Sequence, residues 1–149
     1  MTITTADLVE LQLPAGIDRA QATTILAQRL AASGRVTDQE GFLADVRARE
    51  EQMATGLDGG IGIPHARSAH VAQASVAFGR SADGVDFGAE DGPATLIFLI
   101  AAPDGAGAEH MKILGSLARK LIHAEFKDGL RGAPDAAAAA TIINDAVAV

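Results

Sequence analysis

The chain contains no cysteine. That excludes disulfides, thiolate metal ligands and a thiol nucleophile within this sequence, and it fits a reducing compartment. There is no tryptophan or tyrosine either, and five phenylalanines bring the aromatic fraction to only 3%. A core so poor in rings has to be built from Leu, Ile, Val and Ala, and stacking platforms for single-stranded nucleic acid are in short supply. Positive charge is scarce as well: 12 Lys and Arg stand against 19 Asp and Glu, a net charge of -7. A surface of that sign repels phosphate backbones and anionic membranes, so nucleic acid and lipid are not expected partners. No apolar run approaches the roughly 18 residues of a membrane-spanning helix. The opening residues, Met1 to Glu10, lack the basic start and apolar stretch of a secretory signal. The expectation is a cytoplasmic protein with no membrane insertion.

What is present suits one ordinary domain covering 1–149, since 48% of the residues are hydrophobic and 21% charged. Asp18 is placed to cap a helix that runs to Ser33 with Ala20, Ile25, Leu26 and Leu30, and Gly34 is placed to stop it. Thr37 and Glu40 have the spacing of a capping box for a second helix, whose apolar stripe is Phe42, Leu43, Val46 and Met53. Arg47 and Arg49 fall in its last turns, where the helix dipole favours cations. The stretch T-G-L-D-G-G-I-G-I-P-H, Thr55 to His65, then reads as a turn-rich segment with a short strand at Ile61 and Ile63.

Strands are expected at Ala74 to Arg80, briefly at Val85 to Phe87, and at Thr95 to Ala102, whose unbroken apolar run marks a strand buried on both faces. Helical spacing returns from Ala108 to His123 and from Ala136 to Val147, the latter with Asp135 as its cap. Helices alternating with strands around one buried strand define an α/β layered fold.

Chemistry rests on four histidines, His65, His70, His110 and His123. A lone histidine is more often a surface residue than a catalyst, and each is weighed against that reading. Pro64 restricts Ile63 to extended geometry and presents His65 rigidly, and the glycines before it let backbone approach a ligand and offer N–H groups to an anion. His110 lies in the first turn of a helix, where anions are favoured. Arg49, usually a solvated helix-end residue, could reach a phosphoryl oxygen with its planar fork, while Glu50 and Glu51 read as solvated. His70 reads as a surface residue, and His123 as a structural histidine at a helix C-terminus. His-only spacing without acidic partners makes a metal site improbable. No P-loop, nucleophile elbow or dinucleotide fingerprint occurs.

The segment Thr55 to His65 resembles the signature of enzyme IIA domains of the fructose and mannitol class of the bacterial sugar phosphotransferase system. F-L-I-A-A-P-D-G-A-G-A-E-H-M-K-I-L, Phe98 to Leu114, resembles that family's strand, loop and second-histidine helix. R-E-E, Arg49 to Glu51, resembles its phosphoryl-holding arginine segment, and Gly79 to Phe87 its strand and turn after the active loop. Ala66 stands where the family often has glycine. The resemblance implies a mixed β-sheet flanked by helices on both faces. It implies that His65 receives a phosphoryl group on Nε2 from the phosphocarrier HPr, and that His110 and Arg49 assist. The group then passes to a cysteine of enzyme IIB, and the membrane enzyme IIC moves the sugar, with fructose favoured. No cofactor is implied.

Since enzyme IIB needs a cysteine and enzyme IIC needs membrane spans, the chain is expected to be the A component alone, free-standing or part of a longer permease. A different class of reading is a regulatory module of the nitrogen type, docking on partners according to its phosphorylation state. A third is a zinc hydrolase using His65, His70 and His110.

Overall fold

The computed structural model describes residues 2–105 and 107–147, except for the side chains of residues 107, 109, 110 and 114. After a 3-10 turn at Ala6–Leu8 come β1 (Val9–Glu10), α1 (Arg19–Ala32) and α2 (Gln39–Gln52). Then follow β2 (Gly56–Leu57), β3 (Ile61–Gly62), β4 (His65–Ser68), β5 (Ser75–Val85) and β6 (Ala94–Pro103). Three helices close the chain: α3 (Gly107–Leu121), α4 (Ala124–Arg131) and α5 (Ala136–Ala146).

The sheet is mixed, in the order β1-β5-β6-β3-β2, with β4 also on β6. Its spine is β6, which pairs antiparallel with β5 on one edge and parallel with β3 and β4 on the other. Leu96 to Ala102 are fully buried, as expected of a strand covered on both faces. The period-two alternation of the strand sorts its side chains to opposite faces. Ile97, Leu99 and Ala101 pack with Leu26 of α1 and Phe42 of α2. Leu96, Phe98 and Ile100 pack with Ile113 of α3, Phe126 of α4 and Ile143 of α5. Helices therefore cover both faces, the architecture that the sequence implied.

The aliphatic core has a ring component that composition understated. All five phenylalanines are buried, and Phe98 lies between Phe78 and Phe126 at centroid distances of 5.1 and 6.4 Å. Removing a phenylalanine so placed costs about 3–5 kcal/mol.

Caps follow the sequence at α1 and α5. The Asp18 carboxylate accepts from Gln21 N–H at 2.8 Å, and the Gln21 side chain accepts from Asp18 N–H at 2.9 Å. Asp135 accepts from Ala138 N–H at 2.8 Å. At α2 the expectation is corrected: Asp38, not Thr37, is the cap, and it accepts from Gly41 N–H at 3.2 Å. Thr37 is engaged elsewhere, its N–H and hydroxyl both donating to the His70 carbonyl.

Val85 is no separate strand but the end of β5, reached after a register shift. Met53 does not join the apolar stripe of α2; it is 68% exposed at the C-cap. His123 does not end a helix: it is the N-cap of α4, a helix not anticipated from the sequence.

Candidate functional site

β3 and β4 are one strand interrupted. Ile61 faces Leu96, Gly62 faces Ile97, His65 faces Ile100 and Ala66 faces Ala101, so a single register with β6 runs through the interruption. The break falls at Ile63–Pro64 because proline has no N–H for the ladder. The Pro64 carbonyl still accepts from Ile100 N–H at 3.0 Å. His65 is thus the first residue of a sheet strand rather than the tip of a loop. It shares a face with its partner Ile100, the face covered by α3 to α5.

The His65 ring is buried. Its Nδ1 lies 2.7 Å from the Ile63 carbonyl. A carbonyl only accepts, so Nδ1 carries the hydrogen, and in the neutral ring the lone pair sits on Nε2. Burial is the main reason the imidazole titrates below its ordinary value. The bond to Ile63 acts the other way; the Arg49 guanidinium adds to the lowering and the Glu50 carboxylate opposes it. The site therefore holds a neutral, oriented imidazole influenced by the Arg49 guanidinium and the Glu50 carboxylate.

Arg49 sits in the last turn of α2, half-buried, and donates to the Met53 carbonyl at 3.3 Å. The structure brings it within electrostatic range of His65. His110 falls in the first turn of α3; its side chain is outside the described residues. The backbone nevertheless sets the start of α3 shortly after the end of β6, a few residues beyond the Ile100 that faces His65. His70 stands apart on the α2 side, its Nδ1 3.7 Å from an Asp38 carboxylate oxygen. His123 is exposed at the α4 cap. Among the described residues, no group of three or more His, Asp or Glu is arranged to hold a metal ion.

The glycines of this segment meet demands of the turn and of close packing. Gly59 and Gly60 take positive φ, +92° and +79°, in the turn between β2 and β3. Gly56 and Gly62 leave room for Phe87: a Cβ on Gly62 would fall 2.9 Å from its ring, and one on Gly56 would fall 2.7 Å from its carbonyl oxygen. Two of these glycine N–H groups are engaged within the chain. Gly56 N–H donates to the Phe87 carbonyl at 2.9 Å and Gly59 N–H to Asp91 at 2.8 Å.

Glu50 is the site residue that sequence reasoning missed. Its side chain is only 13% exposed, not solvated. It accepts from Thr55 N–H at 2.9 Å, from the Thr55 hydroxyl at 2.6 Å and from Arg19 at 3.1 Å. The available signal was a threonine five residues downstream, too common a pattern to single it out.

The fold is a helix-covered mixed sheet that carries His65 on a strand interrupted by proline. Residues 2–146 match the family described as phosphoenolpyruvate-dependent sugar phosphotransferase system, EIIA 2. The chain belongs to that family, whose members are phosphotransferase carrier components. It is similar to the PTS system fructose-specific EIIA component of Haloferax volcanii, 39% identical over 130 residues that span 87% of this chain and 84% of that protein. It is 41% identical over 113 residues to the PTS system fructose-specific EIIABC component of Bacillus subtilis, covering 75% of this chain and 18% of that longer protein. In structure it resembles the nitrogen regulatory protein IIA-Ntr of Neisseria meningitidis, with a TM-score of 0.85 at 30% identity, covering 95% of this chain and 96% of that one. No helix among the described residues is long and apolar enough to cross a membrane.

Proposed function

We propose that 1–149 is one phosphocarrier domain, working in the cytoplasm, that accepts a phosphoryl group on Nε2 of His65 from phosphorylated HPr. It then passes the group to a cysteine of enzyme IIB, which feeds uptake of a sugar through enzyme IIC. The observation that carries this reading is the 2.7 Å bond from Nδ1 to the Ile63 carbonyl in a buried ring. That bond puts the nucleophilic lone pair on Nε2, and burial keeps the ring unprotonated.

In the forward step the Nε2 lone pair attacks phosphorus in line. The new N–P bond forms as the bond to the donor imidazole breaks, and the donor leaves with that electron pair. Arg49 is assigned to the charge on the equatorial oxygens, and His110, in the first turn of α3, to the same task. In the second step a thiolate of enzyme IIB takes the phosphoryl group and His65 returns to the neutral ring. The joined EIIABC architecture in the name of the Bacillus relative supports an enzyme IIB partner. Fructose is the favoured sugar, supported by the fructose-specific relatives.

The test is a relay: labelled phosphoryl on this chain is chased with enzyme IIB carrying its cysteine, or a serine in its place. Label should leave only with the cysteine form.

The second reading, a nitrogen-type regulatory module, is favoured by the likeness to IIA-Ntr over nearly the full chain. Growth separates the two. A deletion strain that grows normally on fructose and every other phosphotransferase sugar would remove the transport reading and leave the regulatory one.

A further inference from the structure

A chain of hydrogen bonds runs from the helices into the His65 ring. Arg19 and Thr55 both donate to the Glu50 carboxylate. The Thr55 carbonyl accepts from Ile63 N–H at 3.1 Å. The Ile63 carbonyl accepts from His65 Nδ1–H at 2.7 Å. Between them the backbone has little freedom, because Pro64 fixes its own φ and holds Ile63 extended. The peptide that orients the ring is therefore anchored at its upstream end by one carboxylate.

We propose that Glu50 is a positioning residue for His65: it holds Thr55, and through Thr55 and Ile63 it fixes the imidazole as the Nδ1–H tautomer with Nε2 presented for phosphoryl transfer. The inference rests on the reading of His65 as the phosphoryl acceptor. Glu50 also directly follows Arg49 in the last turn of α2, so one anchor sets both groups against each other. Its negative charge lies close enough to favour the protonated ring, a local counterweight to Arg49. The adjacent Glu51 has the same charge and is exposed, and it makes none of these bonds.

A glutamine at position 50 keeps the shape but offers a single acceptor oxygen, and its NH2 group cannot accept from Thr55 or Arg19. The experiment compares the full chain with Glu50→Gln, Glu51→Gln and Thr55→Val. Long-range 1H–15N correlation of His65, recorded well above the ring's titration, reads the tautomer directly. Phosphoryl acceptance is measured alongside, with phospho-HPr varied.

Wild type and Glu51→Gln are expected to be dominated by Nδ1–H. In Glu50→Gln the two tautomers should mix, and the limiting rate should fall about tenfold or more, the worth of a charge-assisted hydrogen bond. The KM for phospho-HPr should hold. Thr55→Val, which removes only the hydroxyl donor, should shift the tautomer ratio in the same direction and serves if Glu50→Gln does not fold. A wild-type tautomer ratio in the folded variants overturns the proposal. If wild type shows the Nδ1–H tautomer and Glu50→Gln mixes it, but no chain accepts phosphoryl, the positioning stands and the function assigned to His65 fails.

Discussion

The carbonyl of Ile63 and Nδ1 of His65, two residues apart across Pro64, lie 2.7 Å from each other. The bond itself is local, but the carbonyl that accepts it belongs to a residue whose N–H is held by Thr55. The bond depends on a backbone kept extended by proline and held in register by β6 on both sides of the break. The interruption in the strand is what turns a sheet residue into one with a polar ring edge directed by its own chain.

The first consequence is a pH dependence. Burial sets the folded-state value of His65 below the unfolded value near 6.5. The unfolded chain therefore binds the extra proton first as pH falls. The stability that His65 contributes is complete above the unfolded value, and it declines as pH drops through the window down to the folded value. Urea unfolding of wild type and His65→Gln should give curves that converge on acidification through that window. Phosphoryl acceptance should also stay flat through neutral pH and fall only on the acid side of 6.5.

Arg49→Lys should accept phosphoryl at least about tenfold more slowly, because a point charge does not reproduce a planar fork with several donors. Thermal stability should change by less than about 1 kcal/mol, since the only hydrogen bond of the Arg49 side chain among the described residues is a single one to a helix-end carbonyl. Rapid-quench kinetics and a melt on the same sample check both parts.

His110→Ala should fold and should accept phosphoryl, but should pass it to enzyme IIB poorly. Acceptance and donation both at wild-type rates would remove the role given to His110.

Gly62→Ala should destabilise the fold by about 1–3 kcal/mol, because the added methyl meets the buried ring of Phe87. Gly56→Ala should cost at least as much, since there the obstacle is backbone, the Phe87 carbonyl and Ala89 N–H, which cannot rotate away. Denaturant midpoints of the two variants test the ordering.

Much of the fold was legible because its signals are periodic or unbroken. The apolar run that became β6 and the caps at Asp18 and Asp135 fall where the sequence placed them. The failures have local causes. α4 has only eight residues with a glycine inside, and only Phe126 and Leu130 of it are buried, too short a pattern to stand out. β4 was hidden by proline, which reads as a turn although the register with β6 continues past it. Thr37 lost the cap to Asp38 because it was needed at the His70 carbonyl, a contact thirty-three residues away that no local pattern contains.

At the site, His65 and Arg49 stood out through motif and charge. Glu50 did not, because its importance comes from partners that the fold assembles.

The most direct test of the central claim is intact-mass measurement after incubation with phosphoenolpyruvate, enzyme I and HPr, with wild type beside His65→Ala. One acid-labile phosphoryl adduct on wild type, absent from the folded variant, is the expected result. An adduct that persists in His65→Ala, or none on folded wild type, would contradict the account.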